Sequence, residues 1–171
     1  RKIYCLGGHG DKIYEYDPLL DVISTKKEIL PFLGHSLSCV SLKDKIYCFG
    51  GSSDLTTNIY YDQVLEYSPT TDKIIVKKAT LSTSLAGASC AENSKTKKIY
   101  CFGGFILMAG SEIPSIRILE YTPSIDKLIM KEVLYEPTFH HSCVENSATN
   151  RIYCLLGEYY TQEKIWEYIS Y

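Results

Sequence analysis

KKIYCFGGF, residues 97–105, is the stretch on which the fold turns. It recurs as RKIYCLGGH at 1–9, DKIYCFGGS at 44–52 and NRIYCLLGE at 150–158, with a cysteine at the same place in every copy. Aligned on Tyr4, Tyr47, Tyr100 and Tyr153, the copies lie 43, 53 and 53 residues apart. A period of this length signals one supersecondary unit repeated along the chain.

Other echoes surround each copy. IYEYDP (13–18), VLEYSP (64–69), ILEYTP (118–123) and IWEYIS (165–170) follow it. LDVISTKKEIL (20–30), TDKIIVKKATL (71–81) and IDKLIMKEVL (125–134) come next in the first three copies. HSLSCVSL (35–42), AGASCAEN (86–93) and HHSCVEN (140–146) precede the cysteine word in the last three. All are short segments rich in Ile, Val, Tyr and Leu, separated by Gly, Pro, Asp, Ser and Asn. That is the grammar of strands and turns, without sustained helical periodicity. Four strands per repeat of this length predict an all-β β-propeller of four-stranded antiparallel blades. In order within a repeat we label the strands A (HSLSCVSL), B (KIYCFGG), C (VLEYSP) and D (KIIVKKATL).

The whole chain resembles the kelch repeat family. The residues that carry the likeness are Gly7–Gly8, Gly50–Gly51 and Gly103–Gly104 ending strand B, the strand C tyrosine about 16 residues later in the longer copies, and the acidic turn after it. Two departures stand out. Kelch units usually carry Trp in strand D, where this chain has Val76 and Met130, and the fourth copy has Leu156–Gly157 in place of the diglycine.

The predicted units are a partial blade B-C-D at 1–34, full blades at 35–85 and 86–139, and a partial blade A-B-C at 140–171, about three and a half blades. Unpaired sheet edges invite association. The expected completion is therefore a segment of a larger propeller, with the remaining blades on a longer chain or on further copies of the same chain.

Composition narrows the class. The 171 residues suit one domain, and 45% apolar residues suffice for a core. A net charge of −2, with signs interspersed, leaves no footprint for nucleic acid or anionic lipid. The longest apolar run, FILMAG at 105–110, is far too short to span a bilayer. No leader is visible and the first residue is not Met, which says nothing about compartment.

The seven cysteines follow hairpin parity. Cys39 and Cys48, Cys90 and Cys101, and Cys143 and Cys154 are each equidistant from the centre of an A–B turn, at odd separations of 9, 11 and 11. Such residues oppose each other across a hairpin with side chains on one face, about 4.5–5.5 Å apart at Cβ. Three cross-strand disulfides are expected, with Cys5 unpaired because its strand A partner is missing. Disulfides imply an oxidising compartment, outside the cell or on its surface; the alternative is a cytoplasmic protein with free thiols. The pairs lie in separate blades and no CxxC occurs, so no metal site is expected.

Function is expected on the face of the B–C and D–A loops, because B–C loops vary most and variable loops on a rigid scaffold carry binding. Candidate contacts are His9, Tyr60, Tyr61, Phe105, Met108, Tyr159 and Tyr160, with Ile106 and Leu107 beside them. Tyrosine offers a flat face and a polar handle to protein or glycan. The same residues could instead seal the gaps between blades. No catalytic residue and no cofactor are assigned. Asp17, Asp72 and Asp126 recur beside turns, and Glu15, Glu66, Glu120 and Glu167 recur in strand C, whereas a catalytic group is needed once. The expected function is a non-enzymatic module binding a protein or glycan. The resemblance also implies an alternative, since some kelch-like propellers are copper oxidases with Tyr and His ligands or sugar-modifying enzymes; His9, His35, His140 and His141 would be the histidines concerned. A structural surface or filament component is the third option.

Overall fold

The computed structural model describes residues 2–8, 10–53, 59–155, 157 and 165–169. Strands form where β-branched and aromatic residues alternate with polar ones, and they stop at Gly, Pro or Asp turns. The first unit is β1 (Ile3–Leu6), β2 (Lys12–Asp17) and β3 (Val22–Ile29). The second is β4 (Ser38–Leu42), β5 (Lys45–Phe49), β6 (Gln63–Ser68) and β7 (Lys73–Thr80). The third runs through β8 (Leu85–Ala86), β9 (Ser89–Asn93), β10 (Lys98–Phe102), β11 (Phe105–Met108), β12 (Ser111–Pro114), β13 (Arg117–Thr122) and β14 (Lys127–Val133). The fourth is β15 (Ser142–Asn146), β16 (Arg151–Leu155) and β17 (Ile165–Ile169).

Each unit is one antiparallel sheet in A-B-C-D order. Two are four-stranded, β4-β5-β6-β7 and β9-β10-β13-β14, and two are three-stranded, β1-β2-β3 and β15-β16-β17. The A strands β4, β9 and β15 lie side by side, so they form the inner wall around which the blades are arranged. Cross-strand register repeats from blade to blade: Tyr4 faces Glu15, Tyr47 faces Glu66, Tyr100 faces Glu120 and Tyr153 faces Glu167.

The core lies between blades. The strand C tyrosines of the second to fourth units insert against aromatic side chains of strand B in the preceding blade: Tyr67 on Tyr4, Tyr121 on Tyr47 and Phe49, Tyr168 on Tyr100 and Phe102, with ring centroids 5.2–6.0 Å apart. Tyr67 and Tyr121 are fully buried. Burial pushes both hydroxyls well above the usual tyrosine range, helped by the carboxylates of Asp72 and Asp126.

Those two aspartates form an outer clasp between blades. Asp72 accepts the Tyr67 hydroxyl at 2.9 Å and the Lys27 N–H of the preceding strand D at 3.0 Å. Asp126 repeats this with the Tyr121 hydroxyl and the Lys78 N–H, both at 2.9 Å. Both aspartates turn the chain in the left-handed region, at φ 50° and 47°, a conformation their short polar side chains tolerate. At the inner wall, Ser38 Oγ accepts the Cys90 N–H and Ser89 Oγ accepts the Cys143 N–H, each at 2.8 Å.

The strand C glutamates also prove structural. Glu15 is held by Lys2 and Lys26, Glu66 by Lys77, Glu120 by Lys98, Lys131 and the Tyr100 hydroxyl, and Glu167 by Arg151 and the Tyr153 hydroxyl. A cation on or beside strand B or D thus neutralises the carboxylate in every blade, buried at Glu15 and Glu120 and exposed at Glu167. The hydrogen bond from Lys2 leads the effects that hold Glu15 down at about 2, from an ordinary 4.5. At Asp72 and Asp126 burial pushes the carboxyl up, but donors from Tyr67 and Lys27, and from Lys78 and Tyr121, leave the net shift downward. A carboxylate with a depressed folded-state pKa contributes stability above its unfolded pKa and loses it as pH falls. Stability to urea should accordingly fall between about pH 6.5 and 4, where buried His141 resists protonation, and decline further between 4.5 and about 2 through these carboxylates. Chemical denaturation across that range measures it, and a flat profile would contradict these ion pairs.

One segment read as loop is in fact strand. FILMAGSEIP forms the hairpin β11–β12, which pairs with β8 as an additional three-stranded sheet, β12-β11-β8. Its turn is Ala109–Gly110 at φ 50° and 81°, positive at both central positions as a two-residue hairpin turn of primed type requires. Ala109 adopts that conformation at a steric cost. Ala109→Asn should therefore stabilise the hairpin, on the order of 1 kcal/mol. A rise in the urea midpoint without a change in slope would show this; a fall would refute the turn.

Candidate functional site

The face carrying the B–C and D–A loops is built on the diglycines. Gly8, Gly51 and Gly104 donate their N–H to Gly34, Leu85 and Thr138 carbonyls on the D–A loops leading to the next blade, at 2.7–2.8 Å. This fixes the loop bases rigidly, so what the loops present is set by the blades beneath.

Several sequence candidates turn inward at this level. Tyr61 stacks on Phe32 of the D–A loop, with centroids 3.8 Å apart. Phe105 packs on Phe139 at 4.0 Å and lies edge-on to His140 at 5.8 Å. Ile106 is buried in the core shared by the second and third blades. The Tyr60 hydroxyl donates to Glu112, tying the loop of the second blade to the hairpin of the third; burial, with Glu112 beside it, pushes that hydroxyl far up. Gap sealing thus accounts for the inward faces of Tyr61 and Phe105 and for all of Ile106. Met108 is 52% exposed and stands at the hairpin end, next to exposed Ala109, Gly110, Ser111, Glu112 and Ile113. His9, Tyr159 and Tyr160 lie outside the described residues.

Strand parity misses this hairpin because its partner, β8, is only two residues long and lies at the very start of the AGASCAEN echo. The Ala-Gly pair inside an apolar run was the available signal. It also misses Leu33 and Ile59, exposed apolar residues of the D–A and B–C loops.

The six strand A and strand B cysteines form three disulfides: Cys39–Cys48, Cys90–Cys101 and Cys143–Cys154. In each the two residues are direct register partners across the A–B hairpin. Cys5 is an exposed thiol on β1. The histidines part company. His35 exchanges backbone hydrogen bonds with Ser52, and His140 joins the Phe105–Phe139 cluster. His141 is tucked beside the Cys143–Cys154 bridge, where burial lowers its pKa to about 4 and keeps the ring neutral.

The second blade combines four antiparallel strands, a diglycine at the end of strand B and a buried strand C tyrosine, and residues 34–73 match the family model of the Kelch motif. That stretch is a kelch motif. The matched residues cover strands A to C of the second blade and stop at the start of β7; its strands, diglycine clasp and Tyr67–Asp72 pair recur in the third. Among solved structures, the propeller of YjhT superposes with a TM-score of 0.76, covering 92% of this chain at 15% identity. The chain spans 55% of the length of that structure, and at such identity the likeness is one of fold. No curated protein matches it by sequence. Val76 and Met130, where kelch units usually place Trp, are exposed on the outer strands. Gly157 keeps the second diglycine position of the fourth copy; a Cβ there would meet the Phe139 carbonyl at 2.5 Å, as one at Gly104 would meet Ala86 at 2.7 Å. Among the described residues no helix is long and apolar enough to cross a membrane.

Proposed function

We propose that this kelch-repeat segment is a non-enzymatic interaction module that binds a protein partner through its B–C/D–A loop face, with the β11–β12 hairpin as the principal contact. The observation that carries this is the hairpin itself. It is the longest departure from the repeat, it is anchored on a clasped scaffold, and it exposes Met108 and Ile113 in a chain that buries most side chains near its base. Apolar side chains at an exposed loop end favour a protein surface, because such residues enrich the centre of protein interfaces. A glycan is the second ligand class, supported by the tyrosines at the loop bases. The three disulfides support an oxidising setting for it, extracellular or at the cell surface.

The test pairs the native protein with Met108→Glu/Ile113→Glu in cross-linking capture from an extracellular matrix or cell-surface fraction, with a glycan array in parallel. A partner captured by the native protein and lost with the unchanged-fold variant supports the reading. Equal capture by both would place binding elsewhere. Stoichiometric copper or zinc in the protein purified from its source, without added metal, would favour the oxidase or sugar-modifying alternative.

A further inference from the structure

Position two before the strand A cysteine is an apolar slot in this repeat. Leu37 occupies it before Cys39, packed against the core of the first two blades, and Ala88 occupies it before Cys90, packed against the next core. In the fourth blade the slot holds His141. Both ring nitrogens of His141 are shut off from solvent and neither has a hydrogen-bond partner. Buried polar groups are paired in the great majority of cases, and one that is not requires a reason. Beside the ring lie the sulfurs of Cys143 and Cys154. One nitrogen of His141 and both sulfurs fall within 4.8 Å of one another, and among the described residues this is the one group of three metal-ligating side chains brought together. Among the described residues, the disulfides of the second and third blades have no such neighbour.

We infer that reduction of the Cys143–Cys154 bond creates a Cys2His site for a thiophilic divalent metal ion of the zinc type. While the bond is intact the sulfurs are not thiolates and the site is closed. A dithiol reductant supplies two electrons and two protons; the sulfur–sulfur bond breaks, Cys143 and Cys154 become thiols, and the reductant leaves as its own disulfide. Metal binding then displaces the two thiol protons. Two thiolates, one neutral imidazole and a dication sum to zero charge, which suits a site where Cys154 and one face of His141 are buried. Thiolate and imidazole together select zinc-type ions over calcium or magnesium. The fourth coordination position faces a cavity of about 200 Å³ between the third and fourth blades, lined by Phe102, Ile118, Leu134, Thr138 and Trp166; water or an added small ligand fills it. Because a disulfide and a metal exclude each other here, the fourth blade would carry a redox-gated metal site within a propeller whose other two bridges are only structural.

The experiment titrates cobalt(II), as a spectroscopic stand-in for zinc, into the protein reduced by a phosphine under argon, and reads the thiolate-to-cobalt charge-transfer band. One cobalt per chain is expected for the reduced protein and none for the oxidised protein. His141→Leu restores the residue of the second repeat and His141→Ala that of the third, so the slot accepts both, and near-ultraviolet circular dichroism checks the fold. Each should weaken cobalt binding about tenfold or more. Cys143→Ser/Cys154→Ser should abolish the band, while Cys39→Ser/Cys48→Ser should leave it intact. Overturning results are no band in the reduced protein, a band in the oxidised protein or in Cys143→Ser/Cys154→Ser, or equal affinity in the native protein and both His141 variants.

Discussion

Gly50→Ala is expected to cost about 4 kcal/mol or more, enough to unfold a domain of ordinary stability. Gly50 ends strand β5 at φ +60°, and a Cβ built there would lie 1.9 Å from the carbonyl oxygen of Leu85. That oxygen is backbone, and it is the acceptor for the Gly51 N–H at 2.8 Å. It cannot withdraw without breaking the bond that joins the second blade to the loop entering the third. Left-handed strain of about 1–2 kcal/mol adds to the overlap. Gly103 is the same position one repeat later, with the Thr138 carbonyl oxygen 2.1 Å from its would-be Cβ, and Gly103→Ala should behave alike. Gly10 has nothing within 4 Å and no unusual φ, so Gly10→Ala serves as the control and should change stability by less than about 0.5 kcal/mol. Urea denaturation of the three variants measures this. A Gly50→Ala protein with a near-native midpoint would mean that the strand B to D–A loop contact is wrong.

The second large effect is predicted for Glu120→Ala, at about 3 kcal/mol, against less than about 1 kcal/mol for the same change at Glu167. The two residues hold one repeat position but differ in burial. The Glu120 side chain is 4% exposed and the Glu167 side chain 37%. Removing Glu120 takes the acceptor from the Tyr100 hydroxyl inside the core between the third and fourth blades, and the counter-charge from Lys98 and Lys131 at its edge. At Glu167 water takes over from the carboxylate, and Arg151 remains solvated. Burial pushes the Glu120 carboxyl up, but Lys98 and Tyr100 more than offset it and the net shift is downward. The stability it contributes should therefore be present at neutral pH and fade as pH falls below the unfolded glutamate value. Denaturation of both variants at neutral and acidic pH is the check; equal costs at the two positions would remove burial as the deciding factor.

Much of this fold was legible in the sequence, for reasons that particular residues make plain. Strand B and its cysteine could be placed because period-two geometry fixes which residues oppose each other across a hairpin, and Cys39 with Cys48 needs no tertiary knowledge. The division of labour within the diglycine could not be read. Gly50 faces the loop of the next blade and Gly51 the loop of its own, a distinction that exists only once blades are packed. Asp72 and Asp126 were legible only as residues beside turns and Ser38 and Ser89 not at all, because their reach to Lys27, Lys78, Cys90 and Cys143 spans 45–54 residues. The loop face was legible in position but less so in content. Aromatic composition drew attention to Tyr61 and Phe105, which the fold turns toward Phe32 and Phe139, while Ile113 drew none and is exposed beside Met108. His141 was hidden by its company: next to His140 it resembled a strand-opening histidine, and only the comparison with Leu37 and Ala88 reveals an imidazole in an apolar slot.

Every one of these contacts depends on strands A and B of one repeat being hairpin partners. Peptide mapping of the unreduced protein, after alkylation under native conditions, tests that directly. The linked pairs should be Cys39–Cys48, Cys90–Cys101 and Cys143–Cys154, with the alkyl label on Cys5 alone. A link between strand B cysteines of different repeats, such as Cys48 to Cys101, or label spread over all seven cysteines, would contradict the blade architecture described above.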